Sequence, residues 1–450
     1  MKQVRQRTAL IILLIALLAA GMALFCIFYF VHGADWASFS ANAHAYTDGT
    51  LTSGEILDRE GVTLYDPATG EYADSRSLRR ATLHAVGDPQ NNISTGAKTA
   101  FRSRLVGFNP LTGTTTGGHK LYLSIDSSLN ETARDLLNGR KGSVAVYNYQ
   151  TGQILCMVSS PDFDPADPPT ITDGDSRYDG VYMNRVLSST FTPGSVFKVV
   201  TTAAAIEQLP DIFERSFTCT GSVKIGGDTI TCPHAHGTMD FYSAFANSCN
   251  CVYAQLAVEL GGETLERYAR SAGLLESHDV SGIPTAAGSF DVGADDSNVG
   301  WSGVGQYDDL LNPCSLMMLM GAIAGDGSAA EPSLIYQETS MNGLTLFDGS
   351  SSARSSIGWS ADTCRTLQDM MANNVVKTYG QSQFGSLAVC AKSGTAEVGT
   401  GSPHAWFAGF LNDSEHPLAF VVLVENGGGG ASTAGPIAAK VLQQAVENFD

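Results

Sequence analysis

The stretch TPGSVFKVV, residues 192–200, places a serine and a lysine three positions apart at the start of an apolar run. Proline and glycine end the preceding segment, so the pattern predicts a helix with Ser195 and Lys198 on one face of its first turn. Apolar neighbours would withdraw the lysine amine from water and lower its pKa by roughly 3 units, which allows a neutral amine to take the serine proton. For an isolated pair of this kind, a lysine that only covers a helix surface is the commoner interpretation.

A second segment, ANSCNC (246–251), places Ser248 and Asn250 at the junction of two helical patterns. Alone it indicates only a helix start with a serine cap. A third segment, AKSGTAE (391–397), ends an apolar strand. It adds four candidate residues, which are Lys392, Ser393, Gly394 and Thr395.

Together the three segments reproduce the S-x-x-K, S-x-N and K-x-G set described for penicillin-binding proteins and class A β-lactamases. Their order and their placement on a helix start, an inter-helix junction and a strand agree with that set. Gly394 is expected to let a substrate backbone approach the strand closely, because glycine has no side chain.

The segments around these motifs predict an α+β fold with one antiparallel sheet sandwiched by helices. Five apolar runs are predicted strands: 142–149, 153–160, 386–395, 405–410 and 417–425. Six segments have a helical pattern: 195–208, 240–246, 251–260, 313–325, 361–376 and 436–448. Two strands, a helical block, three strands and a final helix predict a sheet built from opposite ends of one domain, residues 120–450.

Composition limits the classes of function. The chain is 43% hydrophobic and 16% charged, which is typical of a globular protein with a sizeable core. Its 26 Lys and Arg residues against 45 Asp and Glu residues give a net charge of −19. Because phosphate contacts need a basic surface, we expect no nucleic-acid partner.

The N-terminus predicts a membrane anchor. Residues 9–31 carry no charge, and as a helix they would span about 34 Å, enough to cross a bilayer core of ~30 Å. Basic residues precede them in the tail 1–8, so we expect a cytoplasmic N-terminus and an extracytoplasmic catalytic domain. A cleaved signal peptide is the alternative, although the apolar stretch is long and its cleavage site is poor. Residues 32–119 are rich in turns and predict a small irregular stalk module.

The chain has nine cysteines, and eight of them follow the anchor. Cys219 and Cys232 bracket a glycine-rich, hairpin-like segment, and we favour a disulfide between them. Free thiols, or a zinc site with His234 and His236, remain alternatives. We assign no metal and no cofactor to catalysis.

The chain resembles the class B penicillin-binding proteins, single-pass D,D-transpeptidases that crosslink peptidoglycan. The similarity extends beyond the three motifs to several long segments. These are SGEILDREGVTL (53–64), LYLSIDSSLNETA (121–133), TGQILCMVSSPDFDP (151–165), NRVLSSTFTPGSVFK, HGTMDFYSAFANSCN, GVGQYDDLLNP and AKSGTAEVGTGSPHAWFAGF. The third motif is K-S-G where K-T-G is commoner, and both keep a hydroxyl group.

The resemblance implies a role for each candidate residue. Ser195 would attack the carbonyl between two terminal D-alanines, with Lys198 accepting its proton. Ser248 would relay a proton toward the leaving group, and Asn250 would hold the substrate amide and the Lys198 ammonium. Lys392, Ser393 and Thr395 would bind the substrate carboxylate, and backbone N–H groups of Ser195 and Thr395 would form the oxyanion hole.

The resemblance also implies partners and alternatives. Stem peptides of peptidoglycan would be the substrate and β-lactams covalent inhibitors. No glycosyltransferase region is evident, so glycan polymerisation would fall to a SEDS-type membrane polymerase. The alternatives are a β-lactamase or D,D-carboxypeptidase, which would use water as acceptor, a non-catalytic β-lactam sensor, and an inactive scaffold.

Overall fold

The computed structural model of the 450-residue chain describes residues 2–39, 54–115, 118–172, 174–293, 295–399 and 401–449. Its first element is helix α1, Lys2–Ser38. Among the described residues it is the one helix whose length and composition would allow it to cross a membrane. It contains the whole of the predicted span 9–31. Part of the predicted stalk module, residues 40–53 and 116–117, lies outside the described residues.

The rest of the predicted stalk forms short elements. They are β1 Ile56–Leu57, β2 Thr63–Asp66, β3 Glu71–Tyr72, α2 Arg76–Ala81, α3 Leu83–Val86, α4 Ala97–Ala100, α5 Arg102–Val106, β4 Phe108–Asn109, β5 Thr114–Thr115 and β6 His119–Leu123. The ring of Tyr29 in α1 packs edge-on against Phe108 with centroids 6.2 Å apart, so the end of α1 contacts this module.

The remaining elements form the larger part of the molecule. The first half of it contains α6 Ser127–Leu137, β7 Gly142–Asn148, β8 Ile154–Ser160, α7 Lys198–Gln208, β9 Phe217–Cys219, β10 Ser222–Ile225, β11 Asp228–Thr231, β12 Gly237–Met239, α8 Phe241–Ala246, α9 Asn250–Leu260 and α10 Gly262–Ser271. The second half contains β13 Asp279–Val280, β14 Ile283–Pro284, α11 Asp296–Gly303, α12 Pro313–Ala324, β15 Ser328–Ala330, β16 Ile335–Ser340, β17 Thr345–Asp348, β18 Arg354–Ser356, α13 Ala361–Asn374, β19 Val389–Ala396, β20 His404–Leu411, β21 Leu418–Val424 and α14 Gly430–Phe449.

The central sheet has five strands in the order β19-β20-β21-β7-β8. Every neighbouring pair is antiparallel, including β21 with β7, which joins the two ends of the domain. This confirms the predicted sheet, its five strands and its assembly from two strands before the helical block and three after it.

Both faces of the sheet are buried, because its side chains alternate between two cores. In β21, Phe420 and Val422 belong to the core that also contains residues of α6 and α14. Val421 and Leu423 belong to the opposite core, which contains the helical block. The helices therefore lie on both faces, as the sequence predicts.

A second sheet joins the N-terminal module to the larger part. Its six strands follow the order β17-β16-β6-β1-β2-β3. The predicted boundary at Lys120 falls inside β6, which pairs with β1 on one side and with β16 on the other. An ion pair of Arg79 with Asp164, with Nε and Oδ1 2.7 Å apart, adds a further contact between the two parts. The module is therefore continuous with the larger part of the molecule through shared backbone hydrogen bonds.

Candidate active site

Ser195 lies in a 3₁₀ turn, Gly194–Phe197, that leads directly into α7, whose first residue is Lys198. Gly194 adopts φ +55°, a conformation that favours glycine, and a Cβ there would lie 2.6 Å from the carbonyl oxygen of Thr395. The glycine before the serine therefore lets this turn approach strand β19 closely. The Gly194 N–H also donates to the carbonyl oxygen of Gly305 at 2.8 Å, which fixes the turn from its other side.

The side chain of Lys198 is fully buried. Its Nζ lies 3.0 Å from Ser195 Oγ and 3.1 Å from Ser248 Oγ. It also donates to the Ser248 carbonyl oxygen and to Asn250 Oδ1, each at 2.7 Å. Burial lowers the pKa of Lys198 from its ordinary value of 10.5 to about 7, against a smaller opposing effect of nearby cysteines. The amine can therefore lose its proton near neutral pH.

The partners of Lys198 decide where its lone pair points once it is neutral. A neutral amine has two N–H donors and one acceptor site. A backbone carbonyl and the oxygen of a side-chain amide accept hydrogen bonds and cannot donate them, so they occupy the two donors. The lone pair is then left for a hydroxyl, and the hydroxyl of Ser195 is within reach.

Asn250 is held in the orientation that this arrangement needs. Its Nδ2 donates to the carbonyl oxygen of Thr231 at 2.9 Å, so its Oδ1 faces Lys198. Asn250 is the first residue of α9, and Cys249 is the cap before it. Ser248 adopts φ +51°, a left-handed conformation that is uncommon for a residue with a side chain and is sustained by the structure around it.

Lys392 reaches the same hydroxyl from strand β19. Its side chain is fully buried, and its Nζ donates to Ser248 Oγ at 3.0 Å. Burial lowers the pKa of Lys392 well below its ordinary value, and the positive charge of Lys198 lowers it further. The Ser248 hydroxyl thus lies between two buried amines, which suits it to pass a proton.

The structure gives Gly394 a packing role that the sequence does not indicate. A Cβ at this position would lie 2.8 Å from the carbonyl oxygen of Pro193 and 3.0 Å from Cγ1 of Val196. Atoms of the Ser195 segment therefore fill the space that a side chain would occupy. The close approach of a substrate backbone to the strand stays a prediction. Glycine is required here because β19 packs against the segment that carries the serine.

An open cavity of about 800 Å³ lies over this cluster. Five of the eight candidate residues line it, namely Ser195, Ser248, Asn250, Ser393 and Thr395. The two lysines lie beneath its floor, consistent with their burial. Ser393 is held by its N–H, which donates to the hydroxyl of Tyr379 at 2.9 Å. All eight candidates therefore belong to one site, although they come from three distant parts of the chain.

The disulfide favoured between Cys219 and Cys232 is not formed. No described cysteine is part of a disulfide. The nearest sulfur atoms to Cys232 include those of Cys249 and Cys251, at 3.7 and 3.5 Å. Cys249 itself belongs to the Ser248–Asn250 segment, so these cysteines lie beside two of the candidate residues.

Comparison with known proteins places this geometry in a family. The family described as "Penicillin binding protein transpeptidase domain" matches residues 142–443, which contain all eight candidates. The chain belongs to this family. The match begins with the first strand of the central sheet and ends within α14, so it covers the whole five-stranded sheet and the helical block on one face. On the other face it includes most of α14, whereas α6 precedes it.

Relatives of this penicillin-binding protein include class B transpeptidases. Peptidoglycan D,D-transpeptidase PbpA of Mycolicibacterium smegmatis is 30% identical over 408 residues, covering 84% of this chain and 80% of the relative. The protein of the same name from Mycobacterium tuberculosis is 28% identical over 440 residues, covering 89% and 86%. The class B resemblance is thereby confirmed.

Solved structures of penicillin-binding proteins share the fold. Penicillin-binding protein A of M. tuberculosis, in a ceftriaxone acyl-enzyme complex, has a TM-score of 0.76 at 23% identity, covering 87% of this chain and 98% of the other. The D,D-transpeptidase domain of a peptidoglycan glycosyltransferase from Eggerthella lenta has a TM-score of 0.74 at 25% identity, covering 88% and 98%.

Several residues of the site in this penicillin-binding protein carry no signal in the sequence. Tyr253 places its ring 5.5 Å from Lys198 Nζ, and Phe245 places its ring 5.6 Å from Lys392 Nζ. Trp301 and Tyr307 line the cavity. Aromatic residues in helical patterns are usually core residues. Only the three-dimensional structure places Tyr253 beside the Lys198 amine and Phe245 beside the Lys392 amine.

Proposed function

We propose that this protein is a serine D,D-transpeptidase that crosslinks peptidoglycan stem peptides through an acyl-enzyme at Ser195. The observation that carries the proposal is the position of Lys198, whose Nζ lies 3.0 Å from Ser195 Oγ while its two donors are occupied by oxygen acceptors. The names of the PbpA relatives support the substrate class, because both are peptidoglycan D,D-transpeptidases.

In the acylation step, Ser195 Oγ attacks the carbonyl carbon between the two terminal D-alanines. The hydroxyl proton passes to the neutral amine of Lys198 as the new C–O bond forms. Backbone N–H groups of Ser195 and Thr395 stabilise the oxyanion, a contribution of about 3–4 kcal/mol per donor. The C–N bond then breaks, and the leaving D-alanine nitrogen takes a proton through the Ser248 hydroxyl.

In the second step, an amine of a neighbouring stem peptide attacks the ester carbonyl. This amine loses a proton along the same route, the C–O bond to Ser195 breaks, and the serine oxygen recovers a proton from Lys198. A new peptide bond forms while the enzyme returns to its starting state, so no cofactor is consumed. A β-lactam would follow the first step only, because its ring opens and no leaving group departs.

The substrate is held by groups around the cavity. Lys392, Ser393 and Thr395 bind its terminal carboxylate, and the side-chain amide of Asn250 orients the peptide. Ser393 and Thr395 line the cavity that receives it. Entry of a carboxylate beside Lys392 would favour the charged form of that amine, because an opposite charge raises a lysine pKa.

The membrane arrangement is part of this proposal. Residues 9–31 form the anchor, the tail 1–8 is cytoplasmic, and the module 32–119 and the catalytic domain 120–450 are extracytoplasmic. Lys2, Arg5 and Arg7 support this orientation, because cytoplasmic flanks carry an excess of basic residues. We assign glycan polymerisation to a SEDS-type partner that contacts α1 and the module. This assignment is tested by copurification of the polymerase with the full chain and with a chain that lacks α1.

The function is tested with the full chain in detergent. The substrate is a synthetic stem peptide that ends in D-alanyl-D-alanine, supplied with an acceptor amine. The expected result is release of D-alanine together with a crosslinked product. Ser195→Ala abolishes both, whereas Ser414→Ala, an exposed serine of the β20–β21 turn, changes neither. Release of D-alanine with water as the only acceptor would instead identify a carboxypeptidase.

A further inference from the structure

A cluster of cysteine and histidine side chains lies behind the Ser248–Asn250 segment. Cys219, Cys232, His236 and Cys249 each contribute one possible ligand atom, and these four atoms all lie within 4.8 Å of one another. We propose that this cluster is a tetrahedral zinc site, formed by three thiolates and one imidazole, that holds the Ser248–Asn250 segment in place. None of these residues takes part in the acylation chemistry described above.

The distances match a zinc centre. Two thiolates bound at 2.3 Å to one tetrahedral zinc ion lie about 3.8 Å apart. The sulfur atoms of Cys232 and Cys249 are 3.7 Å apart. Sulfur atoms in a disulfide are about 2.0 Å apart, so this pair has the spacing of shared metal ligands and not that of a bond.

The backbone brings the four residues together from separate elements. Cys219 ends β9, and its partner in the antiparallel register is Gly237 at the start of β12, so His236 lies beside it. Cys232 directly follows β11, and its N–H donates to the carbonyl oxygen of Gly221 at 2.9 Å. Cys249 comes from the cap of α9. One ion would therefore crosslink a hairpin region to a helix start.

Two polar groups at the cluster have the surroundings expected of a metal site. The Nδ1 atom of His236 is buried and has no hydrogen-bond partner. A buried ring nitrogen without a partner carries a desolvation cost that a metal ion would remove. The backbone N–H of Cys251 points at Cys232 Sγ from 3.4 Å. Hydrogen bonds of this kind are typical of the groups that support metal-bound ligands.

The proposed site is coupled to the catalytic segment through the chain itself. Cys249 lies between Ser248 and Asn250, and Asn250 also donates to the carbonyl oxygen of Thr231, the residue before Cys232. Ser248 adopts a left-handed conformation that the surrounding structure has to maintain. A metal bond to Cys249 would provide that constraint and keep Ser248 and Asn250 within reach of Lys198.

Cys251 and His234 provide matched controls. The sulfur of Cys251 is 3.5 Å from that of Cys232, yet it is not one of the four mutually close ligand atoms. The ring of His234 lies beside that of His236, with centroids 4.4 Å apart, and it too is outside the set. Both resemble a ligand in residue type and place, so they separate specific coordination from loose binding by a cysteine-rich surface.

The test is the zinc content of the full chain, purified in detergent with a reductant and without chelators or added metal. We expect close to one zinc ion per chain in the wild type, in Cys251→Ser and in His234→Ala. Cys219→Ser, Cys249→Ser and His236→Ala are expected to lose most of it. In the wild type, Co²⁺ in place of zinc should give thiolate-to-cobalt charge-transfer absorption, a readout that requires no variant to fold.

Three results would overturn the proposal. They are a wild type without zinc and without the cobalt absorption, a disulfide among these cysteines in freshly isolated protein, and equal zinc loss in the ligand and control variants. The functional consequence is measured separately. Stripping zinc with a chelator should slow acylation by fluorescent penicillin at least tenfold, and adding zinc should restore it. Because zinc content does not depend on acylation, failure of the proposed enzyme activity would not by itself affect this inference.

Discussion

The Nζ atom of Lys198 lies 3.0 Å from the Oγ atom of Ser195, and it reaches that position fully buried. An ammonium ion at this depth would be costly, whereas a neutral amine is well accommodated. In the proposed mechanism, the same burial that disfavours the charge produces the base that the serine requires. The chemistry of the site follows from where the protein places one amine.

The first prediction concerns the pH dependence of acylation. Because burial lowers the pKa of Lys198 to about 7, the amine is protonated and inactive as a base below that pH. The rate of acylation by fluorescent penicillin should rise about tenfold per pH unit on the acid side and level off above about pH 7. The acylation rate is measured by stopped-flow labelling with fluorescent penicillin between about pH 5 and pH 9.

Lys198→Ala supplies the matching variant. It should lower the acylation rate by about 10²–10⁴-fold, the usual contribution of a general base. Lys440→Ala, an exposed position on α14, is the control and should retain the wild-type rate and profile. A Lys198→Ala variant that remains folded and is acylated at the wild-type rate near neutral pH would contradict the assignment of the base.

The second prediction concerns the packing of β19 against the serine segment. A methyl group in Gly394→Ala would meet the Pro193 carbonyl oxygen at 2.8 Å and Val196 at 3.0 Å. Overpacking of this kind typically costs about 1–3 kcal/mol, and here it would move the strand away from Ser195. We expect penicillin acylation to slow about tenfold or more.

Gly227→Ala is the control for this variant, since a Cβ there has no atom within 4 Å and no positive φ opposes it. Thermal unfolding of both proteins separates a displaced strand from a general loss of folding. Wild-type acylation by Gly394→Ala would show that the close approach of β19 to the serine segment is not needed.

The third prediction concerns a buried carboxyl outside the catalytic cluster. Asp309 is fully buried, and neither of its oxygens has a hydrogen-bond partner of ordinary geometry. Burial raises the pKa of Asp309 well above its ordinary value, against a weaker opposing effect of Ser302. The folded protein therefore keeps a proton that the unfolded chain releases above about pH 4, so this group's contribution to stability falls as pH rises.

Asp309→Asn should remove that dependence and raise the free energy of unfolding at neutral pH by about 1–3 kcal/mol. The gain over wild type should be larger at pH 8 than at pH 5, measured by thermal unfolding. Asp308→Asn, its exposed neighbour, should change little at either pH. A gain that does not depend on pH would show that Asp309 is ionised in the folded protein.

Much of the central domain could be predicted because its signals are local. The strands around Val421 and Phe407 are apolar on both faces, which is typical of a sheet covered on two sides. The helix starting near Lys198 follows Pro-Gly. The three motifs could be assigned to one site because each combines a characteristic set of residues with a recognisable place in the fold. These places are a helix start, a junction between two helices and the end of a strand.

The remaining features depend on contacts between distant residues. Nothing local indicates that β1 pairs with β6, or that β6 pairs with β16 across more than two hundred residues. The packing role of Gly394 is not predicted, because the strand sequence alone does not reveal that Pro193 lies beside it. In the same way, the sequence spacing between Cys219 and Cys249 does not indicate that the fold brings the two residues together.

The most direct test of the proposed function locates the acyl group itself. The full chain is incubated with a D-alanyl-D-alanine stem peptide or with penicillin, quenched in acid and digested, and the modified peptide is sequenced by mass spectrometry. We predict one adduct, an ester on Ser195 within the segment TPGSVFK. An adduct on any other residue, or turnover of the peptide without an acyl-enzyme at Ser195, would contradict the mechanism.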